Sequence, residues 1–210
     1  MIDLTRIVEN QASLSSYRAT QDEEKALQLE LLIENSKPRN AYTEWHPLIA
    51  TPFRYSPPLK VGRFRASYGK NVFYGSLIEE TALYEHAYHF IKERKHLKLQ
   101  TDTGVRTIFF VSANDKNAER ITLEAKFMKL LDKNDYSFSH QFIEKNSKTT
   151  FIIYPSCRDP KKRNNAAILD INHLDKNLIS ERAIKYFYDN KQKQLTWIDY
   201  PLHIQWSDVN

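Results

Sequence analysis

The sequence predicts a mixed α/β chain of the α+β kind, an irregular sheet core with flanking helices, and three observations predict it. Short runs rich in β-branched and aromatic residues recur between positions 106 and 197, the composition of half-buried strands. Other segments carry apolar residues at helical spacing. The two kinds do not alternate regularly enough for a doubly wound parallel sheet. At 210 residues, 41% hydrophobic and 27% charged, the chain has the length for one core and shows no internal repeat.

Taken in order, residues 1–18 are polar with scattered apolar positions and read as a short helix or an arm against the body. From Thr20 to Ser36, acidic Asp22, Glu23 and Glu24 open an amphipathic helix whose Leu27, Leu31 and Leu32 form a face expected in the core, a dimer contact being the alternative. Residues 1–44 are therefore expected as a helical extension packed on a domain of residues 45–210. The prolines at 47 and 52 suit an extended approach into a strand at Phe53 to Tyr55, which Pro57 and Pro58 end. Ser76 followed by Glu79 has the form of a capping box and starts a helix near Leu77. Arg106 to Ser112 reads as a core strand, and Thr122 to Leu131 and Phe138 to Glu144 as helices. Phe151 to Tyr154 and Ala166 to Ile171 read as strands, and Ile184 to Trp197 as a hairpin turning over Asp189 to Gln194.

Composition narrows the chemistry. The single cysteine, Cys157, permits neither an intrachain disulfide nor a Cys-rich zinc site. The 4 glycines make no G-x-G-x-x-G and no P-loop, so a bound nucleotide would be held by side chains. The formal charge of +5 is spread along the chain, without a basic helix or arginine-rich arm. No apolar run of about 18 residues and no basic-then-apolar leader is present, so a cytoplasmic protein is expected.

The stretch Thr51 to Arg94 concentrates ligand-grade side chains. Arg54, Tyr55, Arg63, Arg65 and Tyr74 precede a helix in which Glu85 falls on the same side as Ile78, Ala82 and His89. A carboxylate turned to an apolar side needs a partner. A structural ion pair with an upstream arginine and a pocket for a ligand with a flat ring and phosphates both fit. His86 and His89 lack the zincin order, so no metal site is expected.

The runs PFRY, GRFR and NVFYGSLIEETALYE, with the later IIYPSCRDPKKRNNAAIL, resemble the RES domain, named for an arginine, a glutamate and a serine. In this sequence the resemblance assigns those to Arg54, Glu85 and Ser156, with Tyr55, Tyr74 and Gln141 as accompanying positions, over roughly residues 45–205. It implies an ADP-ribosyltransferase-like core split around an NAD cleft. It also implies a toxin of a bacterial toxin–antitoxin pair that depletes NAD by hydrolysis or phosphorolysis, held inactive by an antitoxin with a helix-turn-helix-type DNA-binding part. Some relatives transfer ADP-ribose to protein instead.

If NAD is the substrate, with inorganic phosphate as a candidate co-substrate and no resident cofactor, cleavage passes through an oxocarbenium-like sugar cation. The leaving pyridinium needs no general acid, so one ionised carboxylate, Glu85, can suffice. Tyr74 and Tyr55 would contact the nicotinamide ribose end, Arg54 with Arg65 or Arg63 the pyrophosphate, and Ser156 would donate to a phosphate or ribose oxygen. Ser156 lacks a nucleophile elbow, and Cys157 reads as a packed thiol. Lys161, Lys162 and Arg163 read as a solvated loop. An RNA-binding or RNA-cleaving toxin and a catalytically silent binding module are the rival readings, and a homodimer stays open.

Overall fold

The structure is a computed structural model of the 210-residue chain; it describes residues 1–10, 22–36, 41–54, 61–66 and 69–210. A nine-stranded sheet organises it, in the order β4-β5-β6-β2-β1-β3-β7-β8-β9. The strands are β1 (Ile2–Glu9), β2 (Phe73–Ser76), β3 (Thr101–Ala113), β4 (Glu119–Arg120), β5 (Phe151–Pro155), β6 (Asn164–Ile168), β7 (Ser180–Asp189), β8 (Gln194–Trp197) and β9 (Leu202–Gln205). The neighbours are antiparallel except for β4 on β5. The described helices are α1 (Glu23–Ser36), α2 (Pro47–Arg54), α3 (Glu79–Arg94), α4 (Ser137–Lys145) and α5 (Trp206–Val209), with 3-10 turns at Ala125–Leu131 and Ile171–His173.

Side-chain alternation sorts the sheet into two covered faces. Leu4, Phe73, Phe109, Val111, Phe151 and Ile153 pack with Ile49 and Phe53 of α2. On the opposite face Ile108, Ile184, Tyr186 and Trp197 pack with Leu83, Ala87, Phe90 and Ile91 of α3. On that same face Ile152, Tyr154 and Ala167 carry the 3-10 turn and α4 through Leu130 and Phe142. Each fully buried leucine, isoleucine, valine or phenylalanine among them contributes roughly 1.5–3 kcal/mol by leaving water, which is why the sheet needs both layers.

Three expectations are corrected here. Residues 2–9 are a strand, not part of a helical extension, and β1 pairs with β3 from Ile2↔Ala113 to Glu9↔Arg106. The division at residue 44 therefore cuts a shared sheet. Residues 47–54 are helical, because Pro47 at the first helical position has no intrahelical acceptor to lose and Ile49, Ala50 and Phe53 share one buried face. The leucines of α1 are exposed, Leu32 by 67%, and among its described side chains Ala26 alone is fully buried. The hairpin of β7 and β8 turns where expected, with Lys193 in the left-handed region at φ 52°.

The pairing between β1 and β2 sets up the site. It consists of one rung, Thr5↔Ser76, while β2 stays paired with β6 over Phe73↔Ile168 to Ser76↔Asn165. Beyond that rung the sheet opens. Arg6 and Ile7 form one lip, Tyr74 and Gly75 the other, and α3 lies across the opening.

Candidate active site

The opening is a cleft of about 640 Å³ that Glu85 of α3 enters from one wall. α3 starts at Glu79 with Ile78 as its extended N-cap and no side-chain cap. The expected capping role of Ser76 is not realised, since its hydroxyl points across β2 to β6. Glu79 and Glu80 still load the first turn with charge that favours the helix N-terminus. They pair with Arg182 and Arg163.

One oxygen of Glu85 is held from two sides. Ser156 Oγ donates to Glu85 Oε1 at 2.6 Å, and Asn165 Nδ2 donates to the same oxygen at 2.6 Å. Oε2 has no hydrogen-bond partner among the described residues. Ser156, fully buried just past β5, accepts from the backbone N–H groups of Arg158 at 3.0 Å and Asp159 at 2.8 Å. Its one proton is therefore committed to Glu85. The expected donation from Ser156 to a phosphate or ribose oxygen is corrected accordingly: the serine holds the carboxylate.

Cations dominate the lining, with Arg6, Arg63, Arg65, Lys92 and Arg158 against Glu85 and Glu93. Arg63 is tied down, its Nη1 donating to Leu130 O at 2.5 Å and its guanidinium 5.1 Å from the Tyr136 ring centroid. Arg158 stacks 3.5 Å from the Tyr88 centroid and donates to the carbonyls of Lys133 and Val209. Arg65 stands 5.9 Å from the Tyr74 centroid with its Nε buried and unpartnered, and Arg6 stands 4.8 Å from Phe73 with Nη1 in the same condition. Neither makes an ion pair with a carboxylate among the described residues. Burial and then the neighbouring Arg65 lower Arg6 to about 10, so it remains a cation at neutral pH.

Aromatic groups complete the walls. Tyr74 Oη accepts from Phe64 N at 3.1 Å, and burial pushes its phenol up to about 12, so it stays a neutral donor. The turn Gly62 to Arg65 presses onto that ring: a Cβ on Gly62 would stand 2.9 Å from Tyr74 Oη. Tyr154 of β5 is raised well above its ordinary value by burial and then by the nearby Glu85 charge. His86 is lowered to about 3 by burial and by Arg106, and is neutral. Cys157 lines the cleft because β5 ends at Pro155; its thiol donates to Leu131 O at 3.0 Å, and burial pushes its pKa up.

The expected residues are only partly assembled. Glu85, Tyr74, Arg63 and Arg65 line the cleft, with Ser156 directly behind Glu85. Arg54 ends α2 and is not among the lining residues, and Tyr55 lies outside the described residues. Gln141 is exposed on α4 and also does not line the cleft; its neighbour His140 donates from Nε2 to Gly62 O at 2.8 Å instead. Lys161 and Lys162 stand on the loop as expected, but Arg163 is drawn into an ion-pair network with Asp159 and Glu80. Among the described residues no group of three metal-ligating side chains forms, and no helix is long and apolar enough to cross a membrane.

Sequence reasoning missed Arg6, Asn165 and Tyr154. Arg6 sits in Leu-Thr-Arg-Ile-Val, a β-forming run that carried the signal of a strand but not of its place in the sheet. Asn165 had no visible tie to Glu85, which is 80 residues away. No curated protein matches the chain. The sequence model of the RES domain matches residues 38–189, well over half of the 210. The chain therefore belongs to the RES domain family, which is associated with NAD-related enzymatic activity.

Proposed function

We propose that the protein cleaves the bond between nicotinamide and ribose in NAD, and that it acts as the toxin of a toxin–antitoxin pair. The observation that carries the reaction is the contrast inside one cleft: a carboxylate held on one oxygen by neutral donors, in the same lining as guanidinium groups that pair with no carboxylate among the described residues. Such a cleft suits a ligand that brings negative charge to the arginines and develops positive charge at the glutamate. NAD does both.

As the bond breaks, the sugar gains oxocarbenium character and the pyridinium leaves as neutral nicotinamide, taking the bonding electrons with it. Glu85 offers fixed negative charge to that cation without having to reorganise. Ser156 and Asn165 keep Oε1 in place, which leaves Oε2 for a ribose hydroxyl. Arg6 and Arg65 take the pyrophosphate in place of the expected Arg54, and the Tyr74 and Tyr154 rings offer faces to the flat cationic ring. The acceptor is water or inorganic phosphate. The partner that would silence the reaction is an antitoxin with a helix-turn-helix-type DNA-binding part, as the family resemblance implies.

Incubation of the purified protein with NAD, with and without inorganic phosphate, followed by mass identification of the products, tests the reading. Free nicotinamide with ADP-ribose or its 1-phosphate is the expected result. Intact NAD overturns it, and ADP-ribose attached to a protein would reassign the acceptor.

A further inference from the structure

We propose that Ser76 is a positioning residue for Glu85 and acts through the side chain of Asn165. The proposal rests on the reading of Glu85 as the reacting carboxylate. Ser76 closes β2 and stands opposite Asn165 of β6 in antiparallel register. Its Oγ donates to Asn165 Oδ1 at 2.7 Å, and Asn165 Nδ2 donates to Glu85 Oε1 at 2.6 Å. Both Ser76 and Asn165 are 3% exposed, so bulk water competes little for either link.

The direction of the chain follows from donor and acceptor capacity. An ionised carboxylate accepts only, so Asn165 must turn its NH₂ to Glu85 and its carbonyl oxygen away. That oxygen then faces Ser76, whose hydroxyl supplies the proton. Without the hydroxyl, Oδ1 is left buried and unpaired, and the amide loses the contact that holds its plane. Ser156 grips the same carboxylate oxygen from the other side. Glu85 is thus held between a loop donor, itself fixed by two backbone amides, and a strand donor fixed by Ser76. Ser76 also provides the one rung that joins β1 to β2, so its backbone sits where the sheet divides.

A double-mutant cycle on nicotinamide release separates this role from a general structural one. Ser76→Ala is expected to lower kcat about tenfold and to leave KM for NAD within about twofold, since the lost restraint acts on the transition state more than on ground-state binding. In an Asn165→Ala background the same substitution should add almost nothing, because the two act as one unit. Unchanged kcat in Ser76→Ala, or a full additional loss in the Asn165→Ala background, overturns the relay. Ser76→Cys, close in volume and a poor donor, serves the same cycle if the alanine variant loses the fold. The side-chain amide NMR resonances of Asn165 give a readout independent of turnover, expected to shift in Ser76→Ala and again in Glu85→Gln. Amide resonances that stay put in Ser76→Ala overturn the relay even if the wild-type protein proves not to cleave NAD, a result that would instead overturn the proposed function.

Discussion

Two carboxylates meet at the loop after β5, Asp159 within it and Glu85 bonded to its Ser156, and the protein treats them in opposite ways. Asp159 has no exposed side-chain surface and is matched by a cation: Arg163 donates from Nε at 2.5 Å and from Nη2 at 3.0 Å, and Thr81 Oγ1 adds a bond at 2.7 Å. Burial pushes Asp159 up, but Arg163, Thr81 and the Lys161 amide outweigh it, and its pKa is lowered. Among the described residues Glu85 receives no bond from a cation. Its donors are a hydroxyl and an amide, both on one oxygen. The same split runs through the arginines, for Arg163 spans two acids while Arg6 and Arg65 have none among the described residues. Charge neutralised within the protein ties elements together; charge held by neutral groups and left uncompensated is available to a ligand.

The comparison breaks most sharply at Glu85. Glu85→Gln keeps the shape and the Ser156 contact but removes the charge. It should reduce nicotinamide release by about a thousandfold or more while the melting temperature stays within a few degrees. Retained turnover would place the reacting charge elsewhere.

At Asp159 the reverse should hold. Arg163→Ala leaves a buried carboxylate without its cation and should cost about 2–3 kcal/mol of stability, toward the lower end for a buried pair because Arg163 is itself 20% exposed. The pH dependence sharpens this. Asp159 and Glu80 both have folded pKa values below their ordinary ones, Glu80 through its hydrogen bond to Arg163. Their contribution is therefore complete above about pH 4 to 5 and is lost as pH falls through the lower folded values. Urea unfolding of wild type and Arg163→Ala should show a full gap at pH 7 that narrows below about pH 4. A gap that widens in acid would contradict the pairing.

A smaller effect separates the arginines. Arg6→Ala should raise KM for NAD roughly tenfold or more, the size of a lost charge-assisted contact, whereas Arg54→Ala should stay within about twofold. Equal effects would mean that the ligand reaches beyond the cleft. The smallest effect concerns salt. Going from 50 to 200 mM should change kcat/KM for NAD by less than about tenfold, far short of the loss expected for a polyanion neutralised along many phosphates. A steep loss would favour the RNA reading.

Much of the site was legible before the fold, and its gaps have a common cause. Glu85 could be placed because an amphipathic helix fixes facing by local spacing, and Tyr74 because it lies in a short strand just upstream. Arg54 ends a helix where a strand is expected, because that helix begins on a proline, which reads equally well as an extended segment. Gln141 is expected in the cleft by resemblance, whereas His140, one position earlier, is the residue whose ring reaches Gly62.

The sequence by itself determined the class of fold, the helix that carries Glu85, the closing hairpin and the presence of a serine just past a buried strand. Those features depend on residues within a few positions of one another. Only the tertiary structure decided that β1 lies between β2 and β3, that Arg6 therefore borders the cleft, and that Ser156 and Asn165, 71 and 80 residues from Glu85, meet on one of its oxygens. Strand order and hydrogen bonds between distant segments arise from pairing across the whole sheet, and no local pattern of side chains encodes which distant edge a strand will meet.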